Sequence, residues 1–125
     1  MKLARLLCAL TLSTAAVITQ AHTHLQNSNP IESSVVGTPP SQVVLTFSEA
    51  ARVTAAWIQK GEGPKEKLGP LPDESSASVT LPLPSLTPGT YVVSWRAAGD
   101  DGHVMPGQVH FTVSAGDSRK NLPQH

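Results

Sequence analysis

From Leu25 onward the chain is a series of short apolar runs broken by Pro and Gly at close spacing, and no stretch of ten residues repeats its apolar positions every 3.6 residues. Period-two alternation takes the place of helical periodicity, which predicts strands. The run Gln42-Val43-Val44-Leu45-Thr46-Phe47 follows the break at Thr38-Pro39-Pro40. A second run over 51–59 puts Val53, Ala55 and Trp57 on one face. Residues 60–73, rich in Gly, Pro and charge, read as a loop or irregular excursion. In 76–83, Val79, Leu81 and Leu83 share a side, and Pro82 and Pro84 push the end of that strand to a sheet edge because proline cannot donate to a ladder. A Pro88-Gly89 turn opens the clearest strand, with Tyr91, Val93 and Trp95 facing in and Val92, Ser94 and Arg96 facing out. A loop over 97–106 leads to a last strand, 107–113, with Val109, Phe111 and Val113 inward. About seven short strands with turn signals between them predict an all-β, two-sheet antiparallel sandwich.

The N-terminus has a different pattern. Lys2 and Arg5 precede an apolar run from Leu6 to Val17, and Thr19 and Ala21 stand three and one positions before a cut after Ala21. That is the layout of a secretory signal peptide. The apolar run is shorter than the roughly 20 residues that span a bilayer, so no membrane anchor is expected. The expected organisation is a signal peptide over 1–21, one domain over 22–115 and a disordered polar tail over 116–125.

Processing changes the charge and the chemistry. The mature chain has seven Lys plus Arg against nine Asp plus Glu, a net of −2, which gives no basic footprint for nucleic acid. The single cysteine, Cys8, leaves with the signal, so the mature protein has no thiol and no disulfide. A metal would have to be held by amine, imidazole, carboxylate or the lone remaining thioether, Met105.

Histidine placement is the informative feature. After cleavage His22 is residue one, and its α-amine and imidazole can close a chelate ring on a metal. The alternative is that His22 is only the first residue after the cut, with no role. Asp101-Gly102-His103 offers an oxygen and a nitrogen donor two residues apart, although Asp and Gly also dominate ordinary turns. Amine, imidazole and carboxylate form the donor set that suits Cu(II) in tetragonal geometry. A rival site uses His24, whose imidazole, two backbone amides and the terminal amine could wrap Cu(II) or Ni(II) in a square plane; it is disfavoured if the residues from Leu25 are pinned in the first strand. His110, out of phase with its inward neighbours, reads as exposed and solvated. Met105, beside Pro106, reads as packing, and Trp57 and Trp95 read as core anchors.

Taken together, His22-Thr23-His24-Leu25, Ser28-Asn29-Pro30, Val44-Leu45-Thr46-Phe47-Ser48, the run Pro88 to Arg96 ending in Ser-Trp-Arg, Asp101-Gly102-His103 and the run Gly107 to Val113 resemble the CopC copper-resistance domain across nearly the whole mature chain. The resemblance implies a periplasmic seven-stranded sandwich, immunoglobulin-like or cupredoxin-like, that binds and carries copper in homeostasis or resistance. It implies Cu(II) ligands at His22, Asp101 and His103. Some members add a Cu(I) site in a Met-rich loop with a His; here the corresponding stretch, 52–73, has neither Met nor His, so a single Cu(II) site is expected. The expected partners are the copper ion and a CopD-type inner-membrane transporter, with the domain a monomer. Two other functions are open to the residues: a copper oxygenase built on an N-terminal His and a second His, or a metal-free structural or adhesive sandwich.

Overall fold

The computed structural model describes residues 23–115. The expected signal peptide over 1–21, His22 and the expected tail over 116–125 lie outside the described residues. Seven strands follow in order: β1 (Leu25–Asn29), β2 (Ser34–Val36), β3 (Gln42–Lys60), β4 (Lys65–Lys67), β5 (Ser76–Pro82), β6 (Gly89–Gly99) and β7 (Val104–Val113). The all-β expectation holds.

The two expected runs at 42–47 and 51–59 are one strand, the nineteen-residue β3. Drawn straight at about 3.3 Å per residue it would span about 60 Å, far more than a compact domain with a radius of gyration near 12 Å can hold. It is shared out instead. Its first part, Val44 to Thr46, lies between β1 and β5, and its last part, Trp57 to Gln59, lies between β4 and β6. The register slips between Thr46 and Ala51, where the polar, partly exposed Ser48 and Glu49 interrupt the apolar alternation. The path then continues β6–β7–β2.

The two expected sheets are therefore two parts of one hydrogen-bonded sheet that share β3. The β2–β7 pair is parallel, where antiparallel pairing was expected throughout. Inward residues of both parts, among them Val43, Leu45, Val79 and Leu81 from one and Ile58, Val93, Val109 and Phe111 from the other, form a single core cluster. Burial of one face of each part in the same cluster requires the sheet to close over itself.

Most of the predicted alternation is present. Tyr91, Val93 and Trp95 are buried, as are Val109, Phe111 and Val113. Leu83 lies past the end of β5, half-buried against the core, and β5 pairs with β3 alone, at the edge the prolines predicted. Trp57 is the exception. A register irregularity between Val53 and Ala55 shifts the phase of β3, so that Ala56 and Ile58 take the inward positions after Val53. Trp57 turns outward, half-buried, with the Arg96 guanidinium 5.6 Å from its ring centroid. Trp95 alone is a core anchor.

One short strand forms where a loop is expected, and another in a stretch for which the sequence predicts no element. β4 forms within the charged excursion after Lys60, and β2 follows a turn at Glu32 and Ser33. Neither has enough residues to show an alternation. At the other end of β6, Tyr91 closes the Leu86-to-Gly89 turn on itself: its hydroxyl donates to the Thr87 carbonyl at 2.6 Å and accepts from the Thr87 amide at 3.1 Å.

Candidate metal centre

β6 and β7 form a hairpin whose ladder runs to Ala98 and Val104. The loop expected over 97–106 shrinks to 100–103. Two backbone bonds tighten it, Gly99 N–H to the His103 carbonyl at 3.1 Å and Gly102 N–H to the Gly99 carbonyl at 3.0 Å. Gly102 adopts φ 80°, a region that disfavours side chains, which explains a glycine between the two donors.

Asp101 and His103 are brought together. The His103 amide donates to Asp101 Oδ1 at 3.0 Å, and His103 Nδ1 lies 2.8 Å from Oδ2. The hydrogen bond from the His103 ring, reinforced by the one from its backbone amide, holds the Asp101 carboxyl below the usual carboxylate range. Asp101 thus stays anionic and orients the imidazole, with Nδ1–H directed at the carboxylate. Each carboxylate oxygen keeps a second lone pair, so Asp101 can hold His103 and still offer an oxygen to a cation. Both side chains are open to solvent, His103 at 75% and Asp101 at 49%.

The start of the described chain converges on the same loop. Thr23 is buried at 6%, and a Cβ built on Gly99 would lie 3.0 Å from Thr23 Oγ1 and 3.2 Å from Asp101 Oδ1. Thr23 and Asp101 flank the space that the missing side chain of Gly99 leaves open. Residue 22 is one Cα step, about 3.8 Å, from Thr23. His24 is tied down by its backbone: its amide donates to Ser48 Oγ at 2.9 Å and its carbonyl accepts from the Ser48 amide at 2.8 Å. The amide that the square-planar wrap would have to deprotonate is therefore a donor in an existing bond, and Leu25 follows directly in β1.

Next to this, Thr23, His24 and Leu25 form one wall of a groove of about 280 Å³ whose other residues include Phe47, Trp95 and Met105. Met105 is half-buried against the core, as its packing role predicts. The Trp95 ring lies across Gly107, its strand partner, where an added Cβ would sit 2.4 Å from the ring. Among the described residues no group of three metal-ligating side chains occurs. Asp101 and His103 are two donors, and the third expected ligand, His22, lies outside the described residues.

His110 is exposed as expected, but it has a partner that the sequence did not suggest. Its amide donates to Glu32 Oε2 at 3.0 Å and its Nδ1 lies 2.8 Å from Oε1. The two residues are 78 positions apart, so no local signal could join them.

Comparison with known proteins agrees with this architecture. A model of the CopC domain matches residues 25–114. The chain belongs to the CopC family. That family is one of copper-resistance proteins and not of enzymes. Among its relatives is protein YobA of Escherichia coli K12, 34% identical over 114 residues and covering 84% of this chain and 91% of the relative. Copper resistance protein C of Pseudomonas syringae pv. tomato is 32% identical over 108 residues, covering 78% and 85%. Among solved structures, CopC from Methylosinus trichosporium OB3b matches with a TM-score of 0.64 at 29% identity, covering 74% of this chain and 94% of that one. PcoC from Escherichia coli, a methionine-rich copper resistance protein, matches at 0.56 with 27% identity, covering 75% and 100%. The CopC domain of this chain has one methionine, Met105.

Proposed function

We propose that the exported domain, 22–115, binds one Cu(II) ion through the amine and imidazole of His22 together with Asp101 and His103, and so buffers or delivers copper in the periplasm. The observation that carries the reading is the burial of Thr23, which follows His22 directly in the chain, beside Gly99 and Asp101. Copper resistance proteins among the relatives support copper as the cargo. The donor chemistry supports Cu(II): nitrogen and carboxylate ligands suit it, whereas Cu(I) prefers the soft thioethers that this chain almost lacks. The clamp of Ser48 on the His24 backbone favours His22 over the His24 wrap.

Periplasmic location rests on the signal-like residues 1–21, and among the described residues no helix is long and apolar enough to cross a membrane. Delivery to a CopD-type transporter by a monomer completes the reading, with residues 116–125 a tail that takes no part.

Electron paramagnetic resonance and competitive titration test it, on protein that begins at His22 and on protein carrying one Gly ahead of it. The processed form takes up one equivalent with nitrogen and oxygen ligands, and the extended form loses the amine and binds far more weakly. Equal affinity of the two forms overturns the ligand set.

A further inference from the structure

The phase shift in β3 gives the sheet an outer face with chemistry of its own. Trp57 and Gln59 point outward there, and their strand partners Lys67 and Lys65 of β4 share that face. So do Ser94 and Arg96 of β6, opposite Trp57 and Ala55, and Gln108 of β7, opposite Ser94. Between them lies a cleft of about 340 Å³ bordered by Trp57, Lys65, Ser94, Arg96 and Gln108. All four polar side chains can donate hydrogen bonds, and no carboxylate lines the cleft.

Both ion pairs among the described residues join a histidine to a carboxylate, so neither engages Arg96, Lys65 or Lys67. The Arg96 guanidinium lies 5.6 Å from the Trp57 ring centroid, a cation–π contact that holds it over this outer face. Lysines on a short edge strand also discourage edge-to-edge pairing, and that accounts for Lys65 and Lys67. It does not account for Arg96, which sits on an interior strand over an outward tryptophan.

We propose that this cleft is a docking site for the carboxylates of an acidic peptide segment on a partner protein. A planar fork held over an aromatic ring matches the planar carboxylate, which it can grip with two parallel bonds. A lipid surface is the poorer match, because Trp57 lies half-buried beneath Arg96 and the exposed large apolar residues Ile31, Val35 and Val104 lie outside the cleft. The cleft lies on the β6–β7 hairpin that also presents Asp101 and His103, so a docked segment rests against the element that carries these two donors. The proposal does not depend on copper.

The test uses the copper-free mature protein and a hexaglutamate peptide, followed by calorimetry and by NMR of the Trp57 indole N–H. Saturable one-to-one binding that shifts the Trp57 resonance and weakens with salt is expected. Arg96→Gln and Lys65→Gln should each lower the affinity about tenfold, as loss of a charge-assisted bond implies, with Arg96→Lys in between. Lys65 is on an exposed edge, so its variant keeps the test open if Arg96→Gln fails to fold. Equal binding of hexaglutamine, indifference to both substitutions, or no binding overturns the proposal. Binding to phosphatidylglycerol vesicles without binding to the peptide overturns it in favour of a membrane, and Arg96-dependent self-association overturns it in favour of a second copy.

Discussion

Gly107→Ala is a sharp test of how the core is closed at the hairpin. Gly107 pairs directly with Trp95, and a Cβ added there would lie 2.4, 2.5 and 2.8 Å from Cζ2, Cε2 and Nε1 of the indole. Ordinary carbon contacts begin near 3.4 Å, so the ring or the β7 backbone must move by about 1 Å. Trp95 is only 3% exposed and packs within the single core cluster, so the displacement is passed to its neighbours. Overpacking of this kind costs about 1–3 kcal/mol, or about 4–8 °C in Tm for each kcal/mol in a domain of this size. Gly37→Ala is the control, since nothing lies within 4 Å of its added Cβ. It should leave stability unchanged or raise it by up to about 1 kcal/mol through the unfolded chain. Urea unfolding followed by tryptophan emission measures both variants. If Gly107→Ala matches wild type within about 0.5 kcal/mol, with an unchanged near-UV spectrum, the close approach of Trp95 to β7 is refuted.

Further outcomes follow from other contacts. Tyr91→Phe leaves the Thr87 carbonyl and amide without their side-chain partner and should cost about 1–3 kcal/mol in urea unfolding, with copper uptake unaffected. Glu32 is held below the usual carboxylate range, first by the His110 amide. Its contribution is therefore present above the unfolded-state pKa and is lost as pH falls through the lower folded value, so Glu32→Gln should flatten the acid side of the stability profile and leave its alkaline side alone. His103→Ala should weaken Cu(II) binding by at least about 100-fold, and Asp101→Asn by about 10–100-fold, in competitive titration; unchanged affinity in either removes that residue from the site.

The strands that could be read from the sequence were those in which alternation ran without a break. Tyr91-Val93-Trp95 and Val109-Phe111-Val113 are buried as their spacing required. Trp57 was misassigned because the irregularity near Thr54 depends on how β3 meets β6, and a shift of one residue exchanges the two faces. The continuity of β3 was hidden by Ser48 and Glu49, which look like a turn but lie within the strand. β2 and β4 hold three residues each and exist because neighbouring strands offer an edge. At the candidate site, the Asp101-Gly102-His103 spacing marks two donors but fits an ordinary turn equally well, and it is the resemblance to CopC that implies their role as ligands. What the sequence could not convey was that Thr23 packs beside Gly99, a contact between residues at opposite ends of the domain.

The length of β3 bears on how the domain comes apart. Since β1, β4, β5 and β6 all pair with this one strand, release of β3 frees β1, β4 and β5 from every ladder they have and leaves only the β6–β7–β2 pairings, stripped of the other half of the core cluster. The slowest amides on either side of the fold should then exchange with solvent at the same opening free energy, as a single cooperative unit. A chain nicked in the 61–64 turn would not yield two persisting halves, and the first strand, which leads out from Thr23 and His24, stays in register only as long as β3 does.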